Sequence, residues 1–139
     1  MRIHKTQMRE GMRKILVVDD EFEIVRLLEE YLSDKGYCVV TAIDGMEAVR
    51  HAGSQQPDGV LLDLIMPGLD GIEALKEIKR LSPRSAVIII SAVIHENIIQ
   101  SAFDAGADKY FFKPFSLDAL EKNMSNLIDL KEKEPKGVN

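Results

Sequence analysis

Four short apolar runs in this chain each end on a polar side chain. Lys14-Ile15-Leu16-Val17-Val18 leads into Asp19-Asp20-Glu21, and Gly59-Val60-Leu61-Leu62 leads into Asp63. Ala86-Val87-Ile88-Ile89-Ile90 leads into Ser91, and Lys109-Tyr110-Phe111-Phe112 leads into Lys113-Pro114. Runs this short suit strands, and helical patterns separate them, which predicts βα units and a parallel sheet. Nearly continuous apolar strands predict helices on both faces of that sheet. In such a sheet the carboxyl ends of the strands share one edge, where ligands bind. Asp19, Asp20, Asp63, Ser91 and Lys113 are therefore expected in one crevice, a set suited to a divalent cation and phosphoryl chemistry.

The chain has 139 residues, enough for one domain but too few for an eight-fold barrel, which needs about 250 residues. The fold class expected is α/β, an open doubly wound sheet of five parallel strands. Net charge is −5, which argues against a nucleic-acid surface. No apolar run approaches bilayer-spanning length, and the basic N-terminus has no apolar stretch behind it, so no membrane span or signal peptide is expected. The lone Cys38 lies in an apolar stretch, cannot form an intrachain disulfide, and suits a reducing cytoplasm.

Residues 1–12 read as a flexible arm, 13–130 as the domain, and 131–139 as a polar tail or linker that should fray. The first helix is predicted from about Glu21 to Lys35, with Ile24, Val25, Leu28 and Leu32 inward and Gly36 at its end. A second strand spans Tyr37–Ala42, and a short helix from Gly45 to Gly53 is expected to present Met46, Val49 and Ala52. Asp70 is the predicted N-cap of the third helix, and Ser116 that of the last. The fourth helix is expected over His95 to Ala105.

These residues resemble the receiver domains of two-component response regulators over about 13–130. The resemblance rests on the acid pair Asp19-Asp20, the loop Asp63-Leu64-Ile65-Met66-Pro67-Gly68-Leu69-Asp70-Gly71, Ser91-Ala92, and Lys113-Pro114-Phe115. It implies the flavodoxin-like strand order 2-1-3-4-5, an order the chemotaxis receiver exemplifies. It further implies that Asp63 accepts a phosphoryl group from a sensor histidine kinase or phosphotransfer protein. Mg2+ would be held by Asp19, Asp20, Asp63 and the carbonyl of Ile65, with Ser91 and Lys113 on the phosphoryl oxygens. Ser91 and Tyr110 would form the switch. The chain would catalyse only its own phosphorylation and dephosphorylation. A downstream protein or a fused effector is the expected output, and a phosphorylation-dependent homodimer is also compatible.

Each residue also has an ordinary reading. Acids favour helix N-termini, aspartate favours turns, serine caps helices, and most lysines are solvated. Their coincidence on one edge is what the ordinary readings do not explain. The rival enzyme is a Mg2+-dependent phosphatase with an aspartate nucleophile, which usually carries a second acid two positions later. Ile65 stands there. A receiver-like docking module that is not phosphorylated is a second rival, though no member of the acid, serine and lysine set is missing. A flavin binder would need a Ser/Thr/Gly-rich loop after the first strand, which is absent.

Overall fold

A computed structural model describes residues 11–134. The elements in chain order are β1 (Lys14–Val18), α1 (Phe22–Asp34), β2 (Cys38–Ala42), α2 (Gly45–Gln55), β3 (Gly59–Leu62), α3 (Gly71–Leu81), β4 (Ala86–Ser91), α4 (Glu96–Asp104), β5 (Lys109–Phe112) and α5 (Leu117–Glu132). All strand pairs are parallel, in the order β2-β1-β3-β4-β5. The order turns back at β1, between β2 and β3, so the carboxyl ends of β1 and β3 flank the switch point at which such sheets bind ligands.

Alternation along each strand divides the core. Leu16, Val18, Val60, Leu62, Val87 and Ile89 pack toward α2 and α3. Ile15, Val17, Leu61, Ile88 and Ile90 pack toward α1 and α5, meeting Leu28, Leu32, Leu120 and Met124. Both faces are apolar because both are covered, so the strands show no polar alternation.

The caps form where side-chain chemistry requires them. Asp70 accepts from the N–H groups of Ile72 and Glu73 and starts α3. Ser116 accepts from Ala119 and starts α5. Gly36 follows α1 with φ +99°, a conformation that costs glycine little. Gly71 admits no side chain, because a Cβ there would meet the Leu64 carbonyl oxygen at 2.2 Å. This close approach clamps the loop after Asp63 against the start of α3.

Three expectations need correction. Met46 is 69% exposed, whereas Ala52 is buried and Val49 packs partly buried against the core as expected, and α2 also buries Gly45 and Ala48. The helix lies close to its neighbours, and a Cβ on Gly45 would already stand 3.0 Å from Leu69, so small residues face inward. The same helix runs two residues beyond Gly53, to Gln55. At the other end of the chain, Lys131 and Glu132 belong to α5. Lys131 pairs with Asp108 at 3.2 Å, its carbonyl accepts from Arg84, and Glu132 accepts from Arg13, contacts that hold these two residues in the helix. Residues 1–10 of the expected arm and 135–139 of the expected tail lie outside the described residues.

Candidate functional site

The parallel ladder does not stop at the strand ends. The N–H of Asp19 donates to the carbonyl of Ala42, that of Asp63 to Val18, and that of Lys113 to Ser91, at 3.2, 3.0 and 3.0 Å. One further rung on each strand therefore fixes the backbone of the residue that carries the chemistry. A rigid sheet positions side chains more tightly than a loop does.

Beyond that rung the chain turns, and three of the polar side chains turn it alike. Asp19 Oδ1 accepts from the N–H of Glu21 at 2.9 Å, and Asp63 Oδ1 from that of Ile65 at 3.1 Å. Ser91 Oγ accepts from the N–H of Val93 at 3.1 Å. Each is a local turn closed by a side chain two residues back. Turn chemistry at Asp63 is thus real, but it uses only one carboxylate oxygen. The helix-cap reading of Ser91 does not hold, since His95 occupies the N-cap of α4.

The other oxygens of the two aspartates meet at Lys113. Its Nζ stands 2.9 Å from Asp19 Oδ2 and 3.1 Å from Asp63 Oδ2. Asp19 and Asp63 are 3% and 5% exposed, so this lysine is no solvated surface charge. Burial, the largest influence on the Asp63 carboxyl, raises its pKa, as does the neighbouring charge of Asp19. The Ile65 N–H and Lys113 pull it down but do not cancel the rise. Burial pulls the Lys113 ammonium down, yet its bonds to Asp19 and Asp63 outweigh that and leave its pKa raised. The amine is therefore cationic at neutral pH.

Asp20 is exposed and completes an acidic trio. One oxygen from each of Asp19, Asp20 and Asp63 falls within 4.8 Å of the others. A set of hard oxygen donors that close fits Mg2+ or a similar dication, which takes carboxylates and keeps several waters. The side chain of Ile65 is 63% exposed, so the position where an aspartate-nucleophile phosphatase carries its acid holds a solvent-facing hydrocarbon.

Ser91 is fully buried. Tyr110 is partly buried, its hydroxyl donating to the carbonyl of Val93 at 2.8 Å. Burial raises the phenol's pKa, Ser91 opposes the rise, and the Asp63 charge adds to it. Tyr110 packs against the α2–α3 side of the core, yet its hydroxyl bond means it is more than core filling. Sequence reasoning missed Glu21 as part of this group. Its Oε1 lies 3.7 Å from Lys113 Nζ, and the signal was its place in the acidic triplet after β1. An apolar groove formed by Ile24, Leu27, Pro114, Phe115 and Leu117 opens beside Glu21 and Lys113.

The family model for the response regulator receiver domain matches residues 15–125. Sporulation initiation phosphotransferase F of Bacillus subtilis is 38% identical over 118 residues, covering 85% of this chain and 95% of that protein. The alkaline phosphatase synthesis transcriptional regulatory protein PhoP of the same organism is 42% identical over 104 residues. That match covers 75% of this chain but only 43% of the relative, so the chain spans less than half of that protein. Among solved structures, a CheY-like receiver domain protein from Methanospirillum hungatei superposes with a TM-score of 0.87 at 26% identity, covering 90% of this chain and all of that one.

Proposed function

The chain belongs to the response regulator receiver domains, the phosphorylatable switches of two-component signalling, and from that premise we propose that Asp63 is its phosphoacceptor. The observation carrying this reading is the shared ammonium. Lys113 bonds the carboxylates of Asp19 and Asp63 together, inside a trio of acid oxygens suited to a dication.

The donor is a sensor histidine kinase or a phosphotransfer protein. An Asp63 oxygen forms a bond to phosphorus while the bond from phosphorus to the donor's histidine nitrogen breaks. The electron pair leaves with the imidazole, which takes a proton. A carboxylate is a competent nucleophile for this step, and the product is an acyl phosphate. Asp19, Asp20, Asp63 and the Ile65 carbonyl would hold Mg2+, which when bound would supply positive charge to offset the repulsion of the acids and of the phosphoryl oxygens. Lys113 supplies a mobile cation to a second oxygen, and the Ser91 hydroxyl a hydrogen bond to a third.

The response passes through Ser91 and Tyr110. Both meet at Val93, one on its N–H and the other on its carbonyl. A pull on the Ser91 hydroxyl therefore disturbs the same residue that Tyr110 holds. The face beyond is loosely seated. Only Ala102 of α4 is buried, while Ile94, Ile98, Phe103 and Phe112 are exposed. A patch of this kind suits a downstream protein, a fused effector or a second receiver. The expected setting is the cytoplasm, and among the described residues no helix is long and apolar enough to cross a membrane. The domain is a phosphoacceptor rather than a turnover enzyme.

Amide exchange with and without beryllofluoride and Mg2+ tests the switch. Protection should change across residues 91–118. Changes confined to the loop 63–70 would contradict this output.

A further inference from the structure

Glu21 occupies the N-cap position of α1 with an extended backbone, φ −83° and ψ 104°, yet its side chain makes no capping bond. Short side chains such as Asp or Ser ordinarily accept from the first-turn N–H groups there, and the longer Glu21 does not. The Glu21 carboxylate instead lies 3.7 Å from Lys113, on the solvent side of the ammonium. Its side chain is 58% exposed, against 4% for Asp19 and 6% for Asp63, the other two partners of Lys113. The backbone N–H of Glu21 is tied to Asp19, which fixes the backbone from which that side chain reaches Lys113. Glu21 thus contributes a carboxylate at the mouth of the site, against the same cation that faces Asp63, and beside the apolar groove.

We propose that Glu21 is a specificity-determining positioning residue, a negative charge at the mouth of the site that competes for Lys113 and discriminates among phosphodonors by their charge. The inference rests on the phosphoacceptor reading of Asp63. Two effects act together. Glu21 competes with the incoming phosphoryl oxygens for the Lys113 ammonium. It also repels a donor in proportion to the donor's charge, over a distance short enough for salt to screen only in part.

Two small donors separate these effects from general damage. Acetyl phosphate is a dianion at neutral pH. Asp63 bonds to its phosphorus as the bond to the acetate oxygen breaks, and acetate leaves with the electron pair. Phosphoramidate carries one net negative charge, with its nitrogen already protonated. Asp63 bonds to its phosphorus as the phosphorus–nitrogen bond breaks, and neutral ammonia leaves with the pair.

The test measures phosphorylation rates of the full chain with each donor and saturating Mg2+. Glu21→Gln should react roughly three- to ten-fold faster with acetyl phosphate and, at half the donor charge, only about two- to three-fold faster with phosphoramidate. The gain with acetyl phosphate should shrink as potassium chloride is raised to about 0.5 M. Glu21→Asp keeps a charge on a shorter side chain that favours capping α1, so its gain with acetyl phosphate should be smaller than that of Glu21→Gln. Equal rates for Glu21→Gln and the parent, or an equal change on both donors, would overturn the proposal. Failure of the parent chain itself to accept a phosphoryl group from either donor would instead count against Asp63 as acceptor.

Discussion

The Lys113 ammonium lies 3.1 Å from the Asp63 carboxylate and holds it as an ion pair inside the mouth of the site. Because Asp19 shares the same ammonium, removing the lysine leaves two nearly buried carboxylates facing each other. Lys113→Ala should cost about 3 kcal/mol of stability without metal, as expected for breaking a buried pair from one side. Mg2+ should restore more of that loss than it adds to the parent chain, since Lys113 no longer competes for the acid oxygens. Phosphorylation, or the response to it, should be impaired. Chemical denaturation with and without Mg2+ checks this, and a variant of parental stability and signalling would mean that Lys113 is only a surface charge.

The raised pKa of Asp63 gives a pH dependence with a definite sign. Burial disfavours the ionised carboxylate, so the fold is favoured by this group when it is protonated. That contribution is complete below the unfolded value, near pH 4, and is lost as pH rises through the higher folded value. At neutral pH the charge therefore opposes folding. Asp63→Asn should melt above the parent at pH 7 without metal, and the difference should narrow as pH falls toward about 4 and change no further below it. A lower melting temperature for the variant at pH 7 would contradict the electrostatic account.

Asp20 is the exposed member of the acidic trio, so its removal bears on the metal more than on the fold. Mg2+ at several-fold above its Kd should stabilise the parent by about 1–2 kcal/mol, through binding the native state alone. Asp20→Ala should lose most of that gain with little change without metal. A melting temperature indifferent to Mg2+ in the parent would count against the site.

The lifetime of the acyl phosphate should be long. By family resemblance, the side chains two positions beyond Asp63 and Ser91 flank the path of the attacking water. Here they are Ile65 and Val93, and neither hydrocarbon can orient a water. Ile65→Asn with Val93→Glu should speed dephosphorylation several-fold in a decay assay at fixed Mg2+. An unchanged decay rate would reject the role given to these positions.

The strand ends were legible because each apolar run stops on a residue that the sheet interior would reject. Asp19, Asp63, Ser91 and Lys113 could be located from that alone, and parallel topology brought them to one edge. The strand order came from family resemblance, since periodicity does not distinguish the ways of ordering five covered strands. On α2 only Met46 departs from the expected set, because hydrophobicity scores transfer from water, whereas the contact at Gly45, Ala48 and Ala52 is set by close approach. The end of α5 was placed too early, at Leu130. The contacts that hold Lys131 and Glu132 come from Asp108, Arg84 and Arg13, all distant in sequence. The link from Ser91 to Tyr110 through Val93 runs partly through backbone atoms, which carry no residue-specific signal.

The central claim is tested most directly by mass spectrometry after incubation with acetyl phosphate and Mg2+. The parent chain should gain one phosphoryl group, labile to hydroxylamine as an acyl phosphate is, with peptide mapping locating it at Asp63. Asp63→Asn should gain none. Full, hydroxylamine-labile labelling of Asp63→Asn would place the acceptor elsewhere and contradict the account.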